Sequence, residues 1–280
     1  MAHPQIATFA RLAKENAQPK RLLAGQKTLL SRTMHDIRYD AVHDEFLVTN
    51  PFAQAILVFR GGADGEEAPI RVIQGPDTML KGTGAAAGGV DRLDVDPVHD
   101  EIFIPAGDTI LVYPRTGNGN VPPLRVIQGP QTKLRRAQAI AVDPVHNVVV
   151  AGTNRAYQNG HGALLIYNRT DEGDAAPRGI ILGPKSEIGN MNQLLIYSPK
   201  GWIVAAQSGD SYGVLEPEGV FVGIWSIHDN GDVPARWKLG GPESTLKKPR
   251  GVALDPRNKE IMIADMRLNA VLTFSFPEIF

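Results

Sequence analysis

HDIRYDAVHDEFLV, residues 35–48, returns as DRLDVDPVHDEIFI at 91–104 and as QAIAVDPVHNVVV at 138–150. The end of each copy is nearly constant, whereas the first letter changes from His to Asp to Gln. Asp followed by Pro or Ala, Val and His is turn chemistry, because the short carboxylate accepts hydrogen bonds from backbone just ahead of it. The constant end therefore reads as a tight hairpin, and the variable start as the free lip of a repeated strand.

A second anchor sets the period. AGQ at 24–26, QGP at 74–76 and 128–130, LGP at 182–184 and GGP at 240–242 place glycines at 25, 75, 129, 183 and 241. The strand-ending anchor recurs as Asp40, Asp96, Asp143, Ser198 and Asp255. Between anchors the order is constant. RLDVD alternates, PVHD turns, EIFIPA and TILVYP form two more extended runs, RTGNGNVPP loops, and LRVIQG forms a fourth. Runs of five to seven residues rich in β-branched and aromatic side chains, closed by Gly, Asn and Pro, are strands. Four short strands per repeat of about 50 residues define an all-β β-propeller blade.

Five copies of both anchors predict a five-bladed β-propeller spanning 1–280 as one domain. Six blades is the alternative, since the third-strand motif occurs six times when both ends are counted. GVALD, EIMIAD and AVLTFSF give the last blade three strands, while IATFARLAKENAQPKRLLAG at the start matches the back half of a repeat. The expectation is that residues 20–25 close the last blade as its outer strand, which removes an open edge.

The best-formed repeat, GPESTLKKPRGVALDPRNKEIMIADMRLNAVLTFSF at 241–276, resembles the NHL-type repeat and its relatives, the gluconolactonase and paraoxonase-like propellers. The resemblance covers nearly the full length through its period and is sharpest in this blade. It implies the fold, and a small-molecule hydrolase acting at the central funnel. In those relatives a calcium ion sits on the axis, held by Glu, Asn and Asp. Here the lip offers Asp91 as its acid, with Asn50, Asn192 and Asp265 in neighbouring loops.

Counting back five residues from each strand-ending anchor gives the lip: His35, Asp91, Gln138, Gln193 and Arg250. Two residues on, at the same parity, stand Ile37, Leu93, Ile140, Leu195 and Val252, an apolar layer beneath a polar ring. A base, an acid and a cation in one place suit general acid–base chemistry, with His35, Asp91 and Arg250 as catalytic candidates. Gln138 and Gln193 would orient substrate. The second-to-third strand links GTNRAYQNGHG (152–162) and QSGDSYGVLEPEG (207–219) are long, and long loops on a rigid scaffold carry function. They add Asn154, Tyr157, His161 and Tyr212 as substrate-binding candidates, with Arg155, Asp210 and Glu216 beside them. His35, Asp91 and His161 are the candidate ligands of one divalent metal ion, calcium or zinc.

At the opposite parity, Asp36 and Arg38 face Arg92 and Asp94 on the adjacent inner strand. The expectation is two cross-blade ion pairs, Asp36 with Arg92 and Arg38 with Asp94. His43, His99 and His146 recur in the turns of the far face and read as repeat decoration. The GTGAAAGG insertion at 82–89 is not a phosphate loop, since no Gly-Lys-Ser/Thr follows.

The alternative to a hydrolase of lactones, esters or phosphotriesters is a non-catalytic scaffold holding a protein or glycan on the same face. A glycosidase using Asp36, Asp91 and Glu216 is a third option. With 29 basic and 30 acidic residues the chain lacks the cationic excess of a nucleic-acid surface. It has no run of about 18 apolar residues and no leader-like start, so neither membrane nor signal peptide is expected. The absence of cysteine excludes disulfides and thiolate sites and leaves the compartment open, periplasmic, secreted or cytoplasmic. The expected form is a soluble monomer with a small molecule in its funnel.

Overall fold

The computed structural model describes residues 4–32, 34–81, 89–155, 157–210 and 213–280. Five antiparallel blades stand in a ring, the arrangement of a five-bladed β-propeller. Blade one is β3 (Ile37–Asp40), β4 (Glu45–Asn50), β5 (Ala55–Arg60) and β6 (Arg71–Ile73). Blade two is β7 (Asp94–Asp96), β8 (Glu101–Pro105), β9 (Thr109–Pro114) and β10 (Arg125–Gln128). Blade three is β11 (Ala139–Asp143), β12 (Val148–Gly152), β13 (Ala163–Asn168) and β14 (Gly179–Leu182). Blade four is β15 (Met191–Tyr197), β16 (Trp202–Ser208), β17 (Val220–Ser226) and β18 (Trp237–Gly240). Blade five has three strands, β19 (Pro249–Asp255), β20 (Glu260–Asp265) and β21 (Ala270–Ser275). Ahead of them, β1 (Gln5–Thr8) and β2 (Arg21–Ala24) pair as a separate hairpin.

The middle strands of most blades are buried from end to end, which is why they read as unbroken apolar runs rather than alternating ones. Apolar clusters seal the blades against each other. Leu47, Val58 and Tyr113 join blades one and two, Phe103, Val149 and Tyr167 join two and three, Val150, Leu164 and Trp225 join three and four, and Val204, Val222 and Ile263 join four and five.

The far face is built from polar clasps. Asp40, Asp96 and Asp143 each accept two backbone N–H groups of the following turn and hold the ring Nδ1 of His43, His99 or His146 at 2.7 Å. These histidines are turn components. The Gly/Asn loops reach back to the preceding blade. Asn118 Oδ1 accepts Val72 N–H, Gly119 bridges Ile73, and Asn120 Oδ1 accepts Asp77 N–H. Gly173 bridges Ile127 and Gly231 bridges Ile181 in the same way. The clasp sits so close that only glycine fits beneath it: Gly75 and Gly129 have φ of 141° and 132°, and a Cβ at either would lie 2.4 Å from Asn120 or Asp174. Charges repeat the pattern, with Arg115 of blade two meeting Glu45 of blade one at 2.8 Å, and Arg169 of blade three meeting Glu101 of blade two at 2.5 Å.

The closure differs from expectation. Residues 20–25 do not extend the last blade, because β2 pairs with β1 and its Leu23 bridges Gly65 of blade one. The Asp64-Gly65-Glu66 clasp of blade one takes β2 as Asn118-Gly119-Asn120 of blade two takes β6: Asp64 Oδ1 accepts Leu22 N–H and Glu66 Oε1 accepts Lys27 N–H. On its other flank the hairpin reaches blade five through Arg11, 2.8 Å from Glu260. The sixth third-strand motif therefore belongs to a hairpin set between the last blade and the first, not to a sixth inner strand. No helix among the described residues is long and apolar enough to cross a membrane.

Candidate functional site at the axis

The starts of the inner strands converge on one pocket of about 100 Å³, lined by His35, Asp91, Arg92, Gln138, Met191, Asn192 and Arg250. Four of the five lip positions read from the sequence are here. His35 Nδ1 lies 2.9 Å from Asp91 Oδ1, with the imidazole 42% exposed and the carboxylate 16%. An ionised carboxylate only accepts, so Nδ1 donates and Nε2 of the neutral ring is left as a proton acceptor. Arg250 Nη1 donates to Asn192 Oδ1 at 2.6 Å. Gln138 Oε1 accepts from Asn154 Nδ2 at 3.1 Å, which ties the 152–162 loop to the lip.

Gln193 is the exception. Its Nε2 donates to Asp36 Oδ1 at 2.5 Å and its Oε1 accepts Val252 N–H at 2.6 Å, in a buried position below the pocket. The cause is the strand-end anchor: Tyr197 pairs with Trp202 as Asp255 pairs with Glu260 and Asp40 with Glu45, so blade four's inner strand ends at Tyr197 rather than Ser198 and counting back five reaches Asn192. Pairing jumps from Met191↔Gln207 to Gln193↔Ala206, so Asn192 is the extra residue and takes the lip. A similar jump, from Pro249↔Asp265 to Gly251↔Ala264, presents Arg250.

Only one of the two expected ion pairs forms. Arg38 Nε is 3.2 Å from Asp94 Oδ1, and Arg38 Nη2 donates to Leu194 O at 2.5 Å. Asp36 does not pair with Arg92. It accepts Leu93 N–H and Gln193 Nε2, and sits 3.9 Å from Arg38 Nη1. Arg92 instead rises to the lip, donating to the carbonyls of His35 (2.7 Å), Asp91 (3.0 Å) and Asn192 (2.5 Å). It holds three blades together directly under the His35–Asp91 pair. Burial pushes the Asp94 carboxyl up to about 6 against the opposing pull of the Arg38 charge.

Loops 152–162 and 207–219 share one side of the funnel: Arg155 Nη1 donates to Asp210 O at 3.2 Å. Tyr157 packs against the apolar seam between blades two and three rather than lining the pocket. Glu216 pairs with Lys247 and Arg267, each at 3.2 Å, and does not line the pocket. The glycosidase trio of Asp36, Asp91 and Glu216 is thus not assembled. Among the described residues no three His, Asp or Glu side chains form a set able to hold a metal ion. His161, engaged through its backbone with Gln158, does not join His35 and Asp91. Tyr212, and residues 82–88 of the Gly/Ala insertion, lie outside the described residues.

Sequence counting missed Asn192 and Arg92. The first is displaced because blade four's inner strand ends at Tyr197 rather than at Ser198, and the second reads in the sequence as half of a buried pair. No protein-family model and no curated protein matches the chain.

Proposed function

We propose that the protein is a small-molecule hydrolase of the lactone, ester or phosphotriester type, with His35 as general base at the mouth of the axial pocket. The observation that carries this reading is the His35–Asp91 contact at 2.9 Å beside the Arg92 and Arg250 guanidiniums. Asp91 fixes the tautomer, which leaves His35 Nε2 to take a proton from water. Attack on the acyl or phosphoryl centre puts negative charge on its oxygen, and Arg250 is the cation placed to stabilise it. Asn192 and Gln138 supply hydrogen bonds that position the substrate. A pocket of about 100 Å³ admits the reacting group and not a bulky body. The resemblance of the 241–276 repeat to the gluconolactonase and paraoxonase-like propellers points to the same substrate classes.

The second reading, a scaffold binding a protein or glycan on this face, is supported by the exposed apolar pair Val214 and Leu215 on the long loop beside the funnel. A panel of activated esters, lactones and phosphotriesters, run with wild type and His35→Ala, separates the two. The hydrolase reading expects turnover of at least one class and a loss of roughly a hundredfold or more in the variant. A panel without turnover gives the scaffold reading precedence.

A further inference from the structure

A cleft of about 990 Å³ runs outward from the axis between β3 of blade one and the blade-five sheet, beneath the inner side of β1. Its walls are apolar and open. Ile37 and Tyr39 are 45% and 59% exposed on one side, Val271 is 68% exposed on the other, and Leu254 and Met262 line the same wall. At the seam between blades one and two, the side chains of inner and second strands such as Leu93 and Ile102 fill this space completely.

The hairpin that roofs the cleft occupies the outer half of a blade position. Its sequence aligns with β9 and β10, placing Ile6 at Ile110, Arg11 at Arg115, Leu23 at Ile127 and Gly25 at Gly129. Its contacts follow the alignment. Arg11 meets Glu260 as Arg115 meets Glu45, and Leu23 bridges Gly65 as Ile127 bridges Gly173. In blade two the strand aligned with β1 is paired on both edges, by β10 and by β8. Among the described residues β1 is paired by β2 alone. The inner edge of β1 therefore faces a strand-sized space, continuous with the established blade interfaces on both flanks.

We propose that this cleft is a strand-docking site, which takes an extended segment of a partner protein onto the inner edge of β1. Strand addition supplies main-chain hydrogen bonds, and apolar residues at alternate positions of the segment enter between Ile37 and Tyr39 on one wall and Met262 and Val271 on the other. The axial end of the cleft mixes His35, Arg38, Arg92 and Arg250 with Asp36 and Asp94, so the segment carries a polar residue at that end. This inference does not depend on the hydrolase reading.

The test uses a synthetic peptide with the sequence of residues 91–105, DRLDVDPVHDEIFIP, because its β8 portion pairs Phe103, Ile104 and Pro105 with Val112, Leu111 and Ile110, the counterparts of Thr8, Ala7 and Ile6. Titration calorimetry on the full chain should give saturable 1:1 binding, with amide exchange slowed at Ile6–Thr8. Ile37→Glu and Val271→Glu alter exposed side chains and should keep the wild-type melting temperature while weakening binding at least tenfold. The proposal is overturned if the peptide does not bind, or if it binds both variants as well as wild type. It is equally overturned if wild type sediments as a dimer that Ile37→Glu dissociates, since a second copy would then fill the cleft.

Discussion

Gln193 and Asp36, 157 residues apart in sequence, meet at 2.5 Å beneath the axial pocket. The same amide accepts the backbone N–H of Val252, so one side chain joins blades one, four and five. Gln193 was expected to position substrate, and the structure makes it a strap. Gln193→Ala should leave a buried carboxylate oxygen and a buried N–H without this partner, destabilising the fold by roughly 1–3 kcal/mol. Urea denaturation measures this. A variant of wild-type stability would show that the strap carries no strain-bearing role.

Arg38 stands between the partly buried Asp94 carboxylate, at 3.2 Å, and the buried Asp36 carboxylate, at 3.9 Å. Replacing it by alanine strands both, and a loss of roughly 3 kcal/mol or more is expected at pH 8. Denaturation of Arg38→Ala at that pH decides the point. A change below about 1 kcal/mol would mean that water or the surrounding N–H groups satisfy the carboxylates without it.

Asp94 gives that cluster a pH dependence whose sign is fixed. Its folded value of about 6 lies above the ordinary aspartate value near 4. The native state therefore holds this proton more tightly than the unfolded chain does. Its contribution is fully present below about pH 4 and is lost as pH rises through 6. The melting temperature of wild type relative to Asp94→Asn should be more favourable at pH 5 than at pH 8. A difference that does not change between the two would contradict the assignment.

Gly129 tests the far-face clasps. With φ at 132° and Asp174 2.4 Å from where a Cβ would stand, Gly129→Ala must distort the turn or expel the carboxylate that accepts Gln131 N–H. Strain of this kind costs roughly 1–3 kcal/mol. Thermal denaturation should show the loss, with turnover unaffected because the turn lies away from the axial pocket.

The ring was legible because each blade repeats the same turn chemistry. Asp40, Asp96 and Asp143 cap their hairpins identically, and glycine recurs wherever a neighbouring loop presses on the backbone. Four lip residues were legible for the same reason: strand parity carries from one copy to the next. Asn192 was not, because blade four ends its inner strand at Tyr197 with no Asp to mark the place, so Ser198 set the count one residue late. Arg92 was not, because its partners are backbone carbonyls, and a carbonyl is available at every position. The hairpin's place was half legible. Alignment identified its strands as third and fourth in type, but which blade receives them is decided by the Gly65 clasp and by Arg11 meeting Glu260. Distant contacts of this sort have no signature in the local pattern.

On the proposed reading His35, oriented by Asp91, moves a proton at the axis. Chemical rescue of His35→Ala, on whichever substrate the panel identifies, measures that transfer. The variant should melt with wild type, lose roughly a hundredfold or more in turnover, and regain activity in proportion to added imidazole. A His35→Ala protein with undiminished turnover, or one whose deficit imidazole leaves untouched, would contradict the account.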